Sequence, residues 1–331
     1  MTARDDELAA LLALDALEPD EQADAELRLG TFAAGSGEVG AALAEAVAAE
    51  PPASLRAEVL ATARARRAPG RPVDAATPCS PADGFSRTVE DLAALLRTLT
   101  DAEWDAEAHP DHGTVRALLA HLIGVERLTA RWLRREPGMP DLPDHVQSTR
   151  RVVAELSGRP PAELVSLWHA AARDVAAAAA DADPNVPVTM HDLQVSPDGV
   201  LVIRTFELWA HASDIAAATG RPLLQLDPDR MTTLSMRLMA AVPLALALRG
   251  TPAPGRTALF VLTGASGGSY SVPLSPGDAL GEPDFVLVAD TVDLCRVAAR
   301  RLRPEELPHS LEGDRDLADL VLAGIDAFAR D

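Results

Sequence analysis

The sequence contains no lysine, so all 30 of its basic side chains are arginine. Beside abundant alanine, this reflects the coding bias of a high-GC genome and carries no functional signal. Two cysteines, Cys79 and Cys295, lie far apart in 331 residues. They exclude a disulfide framework and a cysteine-rich zinc site, and read as buried or incidental thiols. No uninterrupted apolar run reaches membrane-spanning length. The longest candidate, around MAAVPLALAL, is short and flanked by Arg237 and Arg249. The opening MTARDDELAA lacks the basic region that leads into a signal core. A surplus of basic charge is also missing: 50 acidic residues against 30 basic give a formal net charge of -20. A broad nucleic-acid surface is therefore not expected. These absences together predict a soluble cytoplasmic protein with no membrane and no direct nucleic-acid partner.

What is present is helical periodicity broken at a few places. Residues 1–67 read as a small all-α unit. LAALLALDAL is its first helix, and Pro19 suits the first turn of the next, followed by Asp20 and Glu21. EVGAALAEAVAA and PPASLRAEVLATARARR follow, the latter with Ser54 as a plausible cap. Residues 68–80, rich in proline, glycine and small side chains, form a linker. Residues 81–222 carry long helices with apolar stripes and predict a four-helix bundle. Thr114 can cap the second of these and Gly220 can close the fourth. The link from Glu136 to Gly158 is long for a bundle and has room for a short helix in VQSTRRVVAEL. Residues 223–331 change character. A helix is followed by RTALFVLTG and SYSVPLS as an antiparallel strand pair turning at GASGG, then a strand in PDFVLVAD and helices in TVDLCRVAARRL and RDLADLVLAGIDAFA. This predicts an α+β domain.

Three residues stand out chemically. His121 lies in TVRALLAHLIGVE, and Glu207 and His211 lie in RTFELWAHASDI. Residues four apart share a helix face, so two facing helices could offer two imidazoles and a carboxylate to one ion. That donor set suits zinc first, with iron or nickel as alternatives. Glu207 sits among Phe206, Leu208 and Trp209, where a carboxylate is costly unless paired or metal-bound. An ion pair with Arg204 is the competing reading. Asp214 is placed to accept a hydrogen bond from a ligand histidine. His109 and His112, in EAHPDHGTV, read as a solvated turn that could border the mouth of the site. GASGG lacks the lysine and the strand-to-helix context of a phosphate loop. No cysteine is placed as an internal nucleophile, which leaves an external thiol or water for an ion to activate.

The segments ADGFSRTVEDLAALLRTLTDAEW, GTVRALLAHLIGVE and FELWAHASDIAAATGRP resemble the N-terminal domain of mycothiol-dependent maleylpyruvate isomerases, within the wider DinB-like superfamily. VLTGASGGSYSVPL, PDFVLVADTVDLCRVAARRL and LEGDRDLADLVL resemble the companion C-terminal domain. The resemblance implies metal ligands at His121, Glu207 and His211, mycothiol as the thiol cofactor, and isomerisation of maleylpyruvate by transient thiol addition. Arg296, Arg300 and Arg301 become candidates for contact with an anionic substrate or the thiol, Arg296 and Arg300 foremost. One departure is visible: Gly113 stands where the family carries an aromatic before TVR. Separately, LAALLALDALEPDEQADAELRL and EPPASLRAEVLATA resemble the N-terminal helical domain of anti-sigma factors. No histidine or cysteine lies between residues 1 and 67, so such a domain is metal-free.

Two functions follow as expectations. One is a metal-dependent, mycothiol-using isomerase or thiol transferase acting on a small, unsaturated acidic substrate. The alternative is a regulator that binds a sigma factor through residues 1–67, with the bundle as sensor or structural module.

Overall fold

The computed structural model describes residues 76–137, 145–190 and 193–327, together with residues 5, 9, 11 and 19–29. The chain divides into two compact units, Met1–Pro69 and Gly70–Asp331. In the first, helix α1 (Pro19–Leu29) starts at the proline that the sequence places in a first turn. Arg28 in its last turn pairs with Asp5 at 2.8 Å. The other helices expected in residues 1–67 lie largely outside the described residues.

The second unit is helix-rich, and its long helices start where local chemistry favours a start. In α2 (Pro81–Arg97), Ser80 accepts a hydrogen bond from the Asp83 amide. A short helix, α3 (Asp101–Trp104), opens with a capping box between Thr100 and Glu103. Thr114 caps α4 (Val115–Leu133) by accepting from the Ala117 amide, as its position in the sequence predicts. The long link does hold a helix, α5 (His145–Leu156). Proline begins both α6 (Pro161–Asp181) and α7 (Pro197–Ala218), and Ser196 caps the latter. Gly220, at φ +64°, ends α7 in the left-handed region that only glycine enters cheaply. Helices α2, α4, α6 and α7 bury Leu92, Leu118, Leu122, Trp168 and Leu208 in one core, and α5 packs on α4.

A hairpin of β1 (Glu107–His109) and β2 (Gly113–Thr114) precedes α4, and a second, β3 (Val188–Met190) with β4 (Leu193–Val195), precedes α7. Neither is legible in the sequence, since strands this short have no room to display alternation. The chain then enters α8 (Pro228–Leu248). By length and composition this helix could cross a membrane; here it buries Met239, Val242 and Leu246 in a second core.

That core lies against a four-stranded sheet of order β6-β5-β7-β8. As expected, β5 (Thr257–Thr263) and β6 (Gly268–Pro273) form an antiparallel pair. β7 (Phe285–Asp290) joins β5 in parallel. Its residues alternate buried and half-buried, so Phe285, Leu287 and Ala289 face the core. β8 (His309–Gly313) adds an antiparallel edge that the sequence does not announce: HSLEG is short and polar. Helices α9 (Thr291–Ala298) and α10 (Arg315–Gly324) complete the layer. Phe206 of α7 packs on this second core, so the bundle and the α+β layer share one unit.

Arg221, just past α7, ties back to the α3 cap. Its Nε and Nη2 donate to Glu103 at 3.0 and 2.9 Å. Arg221 and the Thr100 amide lower the Glu103 carboxyl to about 2. A depressed carboxyl contributes stability above its unfolded pKa, and that contribution is lost as pH falls toward the folded value. Glu103→Gln is therefore expected to lower the melting temperature at about pH 6, and the gap to the unsubstituted protein should close by about pH 2. A gap constant across that range in thermal melts contradicts this coupling.

Candidate metal centre

Helix α7 presents Arg204, Glu207, His211 and Asp214 along one stripe, at steps of three and four residues. Across from it, α4 carries His121 and Glu126, both buried. The structure brings His121 and His211 together, as expected. The third member of the group is His112. One ligand atom from each of these three buried histidines lies within 4.8 Å of the other two. The rings of His112 and His121 stack at a centroid distance of 4.0 Å, and His211 meets His112 edge-on at 5.3 Å. His109 stacks on the outer side of His112 at 4.7 Å.

The loop of His109 and His112 is thus not a solvated turn; His112 is only 8% exposed. The hairpin makes the difference. His109 is registered against Gly113, and Gly113 takes φ +77°, a conformation a bulky aromatic would strain to adopt. The turn folds His112 under the mouth of the bundle. The replacement of an aromatic by glycine was the one available signal, and by itself it does not tell where the neighbouring ring goes.

Glu207 lines the cavity beside His211 and is not one of the three convergent residues. Its carboxylate is engaged by Arg204, the reading that competes with metal binding in the sequence. Arg204 is itself 1% exposed. It donates from Nη2 and Nε to Glu126 at 2.9 and 3.3 Å. Glu126 is fully buried and escaped notice in the sequence, because GVE at the end of an apolar stretch resembles the polar edge of a stripe.

Each of two histidines is oriented from behind. Nδ1 of His121 meets the Thr149 hydroxyl at 2.7 Å. Thr149 comes from α5, and Gly124 is what lets α5 come so near: a Cβ at 124 would lie 2.7 Å from Thr149 Cγ2. Nδ1 of His211 donates to Asp214 at 3.0 Å, the bond its spacing suggests. Asp214 also accepts from Arg301 at 2.6 Å. Burial alone would push the Asp214 carboxyl up; the bonds from His211 and Arg301 outweigh it and hold the carboxyl below its ordinary range. With Nδ1 held in both rings, Nε2 is the nitrogen that can serve an ion.

The three candidate arginines have different surroundings. Arg296 pairs with Asp293 at 3.1 Å and Arg300 with Asp326 at 2.8 Å; neither lines the cavity beside the histidines. Arg301 does. That cavity has a volume of about 470 Å³, and its charged lining is Arg204, Glu207, Arg237 and Arg301, next to His211. A separate hollow of about 420 Å³ is lined by Arg87, Glu90, Asp91, Asp227 and Arg230 and is far from the histidines in its lining. Its arginines are saturated by carboxylates. Cys79, Asp83 and Asp229 also converge, but Arg87 bridges both aspartates there. Cys295 is buried, and burial pushes its thiol up to about 12, so it supplies no thiolate.

Residues 85–216 match the family model of the mycothiol maleylpyruvate isomerase N-terminal domain. The match spans less than half of the chain. A crystal structure of a single-residue mutant of the mycothiol-dependent maleylpyruvate isomerase is similar at a TM-score of 0.50 and 16% identity, over 70% of this chain and 91% of that one. A second crystal structure of the mycothiol-dependent maleylpyruvate isomerase gives a TM-score of 0.49 and 17% identity, with coverage of 70% and 91%. At this identity the first likeness speaks for the fold. No curated protein matches the chain. Residues 1–67, with their resemblance to anti-sigma factors, fall outside the family match.

Removing Arg204 leaves Glu126 buried without its cation, a change that costs about 3–5 kcal/mol where a buried pair is broken. Arg204→Met should destabilise the protein by about that amount in urea unfolding. Adding Glu126→Leu should recover a large part of the loss. A single variant as stable as the parent shows that water reaches Glu126.

Proposed function

We propose that this protein is a metal-dependent thiol enzyme. In this reading a divalent ion, zinc in the first instance, is held by His112, His121 and His211. A low-molecular-weight thiol such as mycothiol is activated there for transfer to, or isomerisation of, an unsaturated acid in the adjoining cavity. The observation that carries it is the convergence of three buried imidazole nitrogens within 4.8 Å. The thiol is suggested by the family of residues 85–216 and by the mycothiol-dependent isomerase of like fold.

The donor set fits the group. Neutral imidazoles suit zinc, iron and nickel alike, and partners on the far nitrogens of His121 and His211 are what ligand histidines ordinarily have. A bound divalent ion supplies positive charge that favours the deprotonated form of a thiol or water beside it. The chain does the rest. Asp214 keeps the His211 proton on Nδ1, and Arg301 keeps Asp214 charged. Arg204 holds Glu207 at the cavity wall, one turn from His211. The apolar lining lowers the local water content, which strengthens each of these electrostatic contacts.

Metal analysis of the purified protein tests the ligand set. One ion per chain is expected, with His112→Ala, His121→Ala and His211→Ala each losing it while circular dichroism stays unchanged. Glu207→Gln should retain the ion, and a cobalt-substituted sample should show the same visible absorption with or without that change. Loss of the ion in Glu207→Gln together with its retention in His112→Ala would instead establish His121, Glu207 and His211 as the ligands.

A further inference from the structure

We propose that the cavity beside His211 selects a monoanionic substrate with an extended apolar body, its carboxylate on Arg237 and its chain along α8. The inference rests on the thiol-enzyme reading only for where the reaction would occur; the selectivity itself stands on the cavity wall.

Three arginines line the cavity, and two are already compensated. Arg204 faces Glu126 and Glu207, and Arg301 faces Asp214. Arg237 is exposed. Among the described residues it makes no salt bridge or hydrogen bond, so one positive charge at the cavity wall awaits an anion. Other described arginines, Arg97 and Arg173 among them, also have no carboxylate partner, but Arg237 is the one that stands at the wall of this apolar cavity.

The rest of the wall is apolar. Leu234, Leu238, Ala241 and Leu244 flank Arg237 along one face of α8, spaced by three and four residues, a strip about 15 Å long at the helical rise. Ile203 and Phe206 of α7 face the same space. Ile203 is 37% exposed and Leu244 40%, large apolar side chains left uncovered inside a hollow. A ligand chain laid there removes them from water. A compact diacid cannot use this wall: its second carboxylate would lose hydration against leucine with no second free cation to replace it. An apolar pocket with a few placed polar groups is what a body-plus-headgroup ligand requires.

Calorimetric titration of the full chain with hexanoate, octanoate, decanoate and maleate tests the inference. Affinity should rise about fourfold per added methylene, the factor that ~0.8 kcal/mol per buried CH₂ gives, and maleate should bind more weakly than hexanoate. Arg237→Gln should weaken octanoate by about five- to tenfold, within the range for an ordinary hydrogen bond and below that for a fully buried charged one because the site is half open, and leave 1-octanol unchanged. Both patterns should persist after the metal is stripped with a chelator. A flat chain-length series, tighter binding of maleate, or equal losses for octanoate and 1-octanol overturns the proposal. Failure of the purified protein to take up zinc, iron or nickel overturns the thiol-enzyme reading while leaving the chain-length result to decide this one.

Discussion

One guanidinium group sets the geometry on which the rest of the site depends. Arg204 is almost wholly buried between α4 and α7, and it faces two carboxylates. Its fork satisfies Glu126 from two nitrogens, which fixes the distance and rotation between the two helices more firmly than apolar packing alone would. That rotation is what aims His121 and His211 at the same point. The same group draws Glu207 to its other side. A single cation thus faces one carboxylate buried in the core and, on its other side, engages the acid that stands four residues before His211. Placing a carboxylate four residues before a histidine creates an opportunity for metal binding, and an arginine three residues earlier still competes for it.

His112 joins His121 and His211, and the reason lies in backbone freedom. Gly113 permits a left-handed turn, and the ring before it swings inward to stack on His121. Gly124 has a comparable role on the opposite side, where absence of a side chain brings Thr149 to the far nitrogen of His121. Two glycines, one turn-forming and one contact-forming, therefore bring His112 and Thr149 to His121. Neither glycine touches the chemistry, yet each would be felt there if replaced.

The sequence made the architecture legible where periodicity and punctuation are long-range signals. Thr114, Pro19 and Gly220 sit where their side chains or backbone freedom put them, and the GASGG hairpin joins β5 and β6 as its flanking alternation required. What it withheld was decided by tertiary contact. β8 has no apolar alternation of its own and exists because β7 offers it an edge. Glu126 looks like a surface residue until Arg204 arrives from 78 positions away. His112 looks like a loop residue until the hairpin closes. In each case the missing information is the identity of a partner distant in the chain, which no local pattern carries.

The choice among Arg296, Arg300 and Arg301 shows the same limit at the scale of one turn. Helical periodicity would place Arg296 and Arg300 on one face, four residues apart. The helix stops first. Its last turn closes with the Arg300 and Arg301 amides donating to Val297 and Arg296 at 3.0 and 2.8 Å, a Schellman-type end. Arg300 occupies the left-handed position at φ +58°, where glycine is usual. A non-glycine residue there costs about 1 kcal/mol or more, and the cost is offset by what the turn accomplishes. Arg300 is thrown outward to Asp326, and Arg301 is thrown back to Asp214. The consequence reaches the histidines. Arg301 keeps Asp214 ionised, and Asp214 decides which nitrogen of His211 bears the proton. The α+β layer therefore acts on the histidine cluster without contributing a histidine to it, through one reversed turn and one shared carboxylate. The same layer supplies Ala298 and Ala299 to the cavity wall, so the part of the chain that sets the tautomer of His211 also shapes the space into which that residue faces.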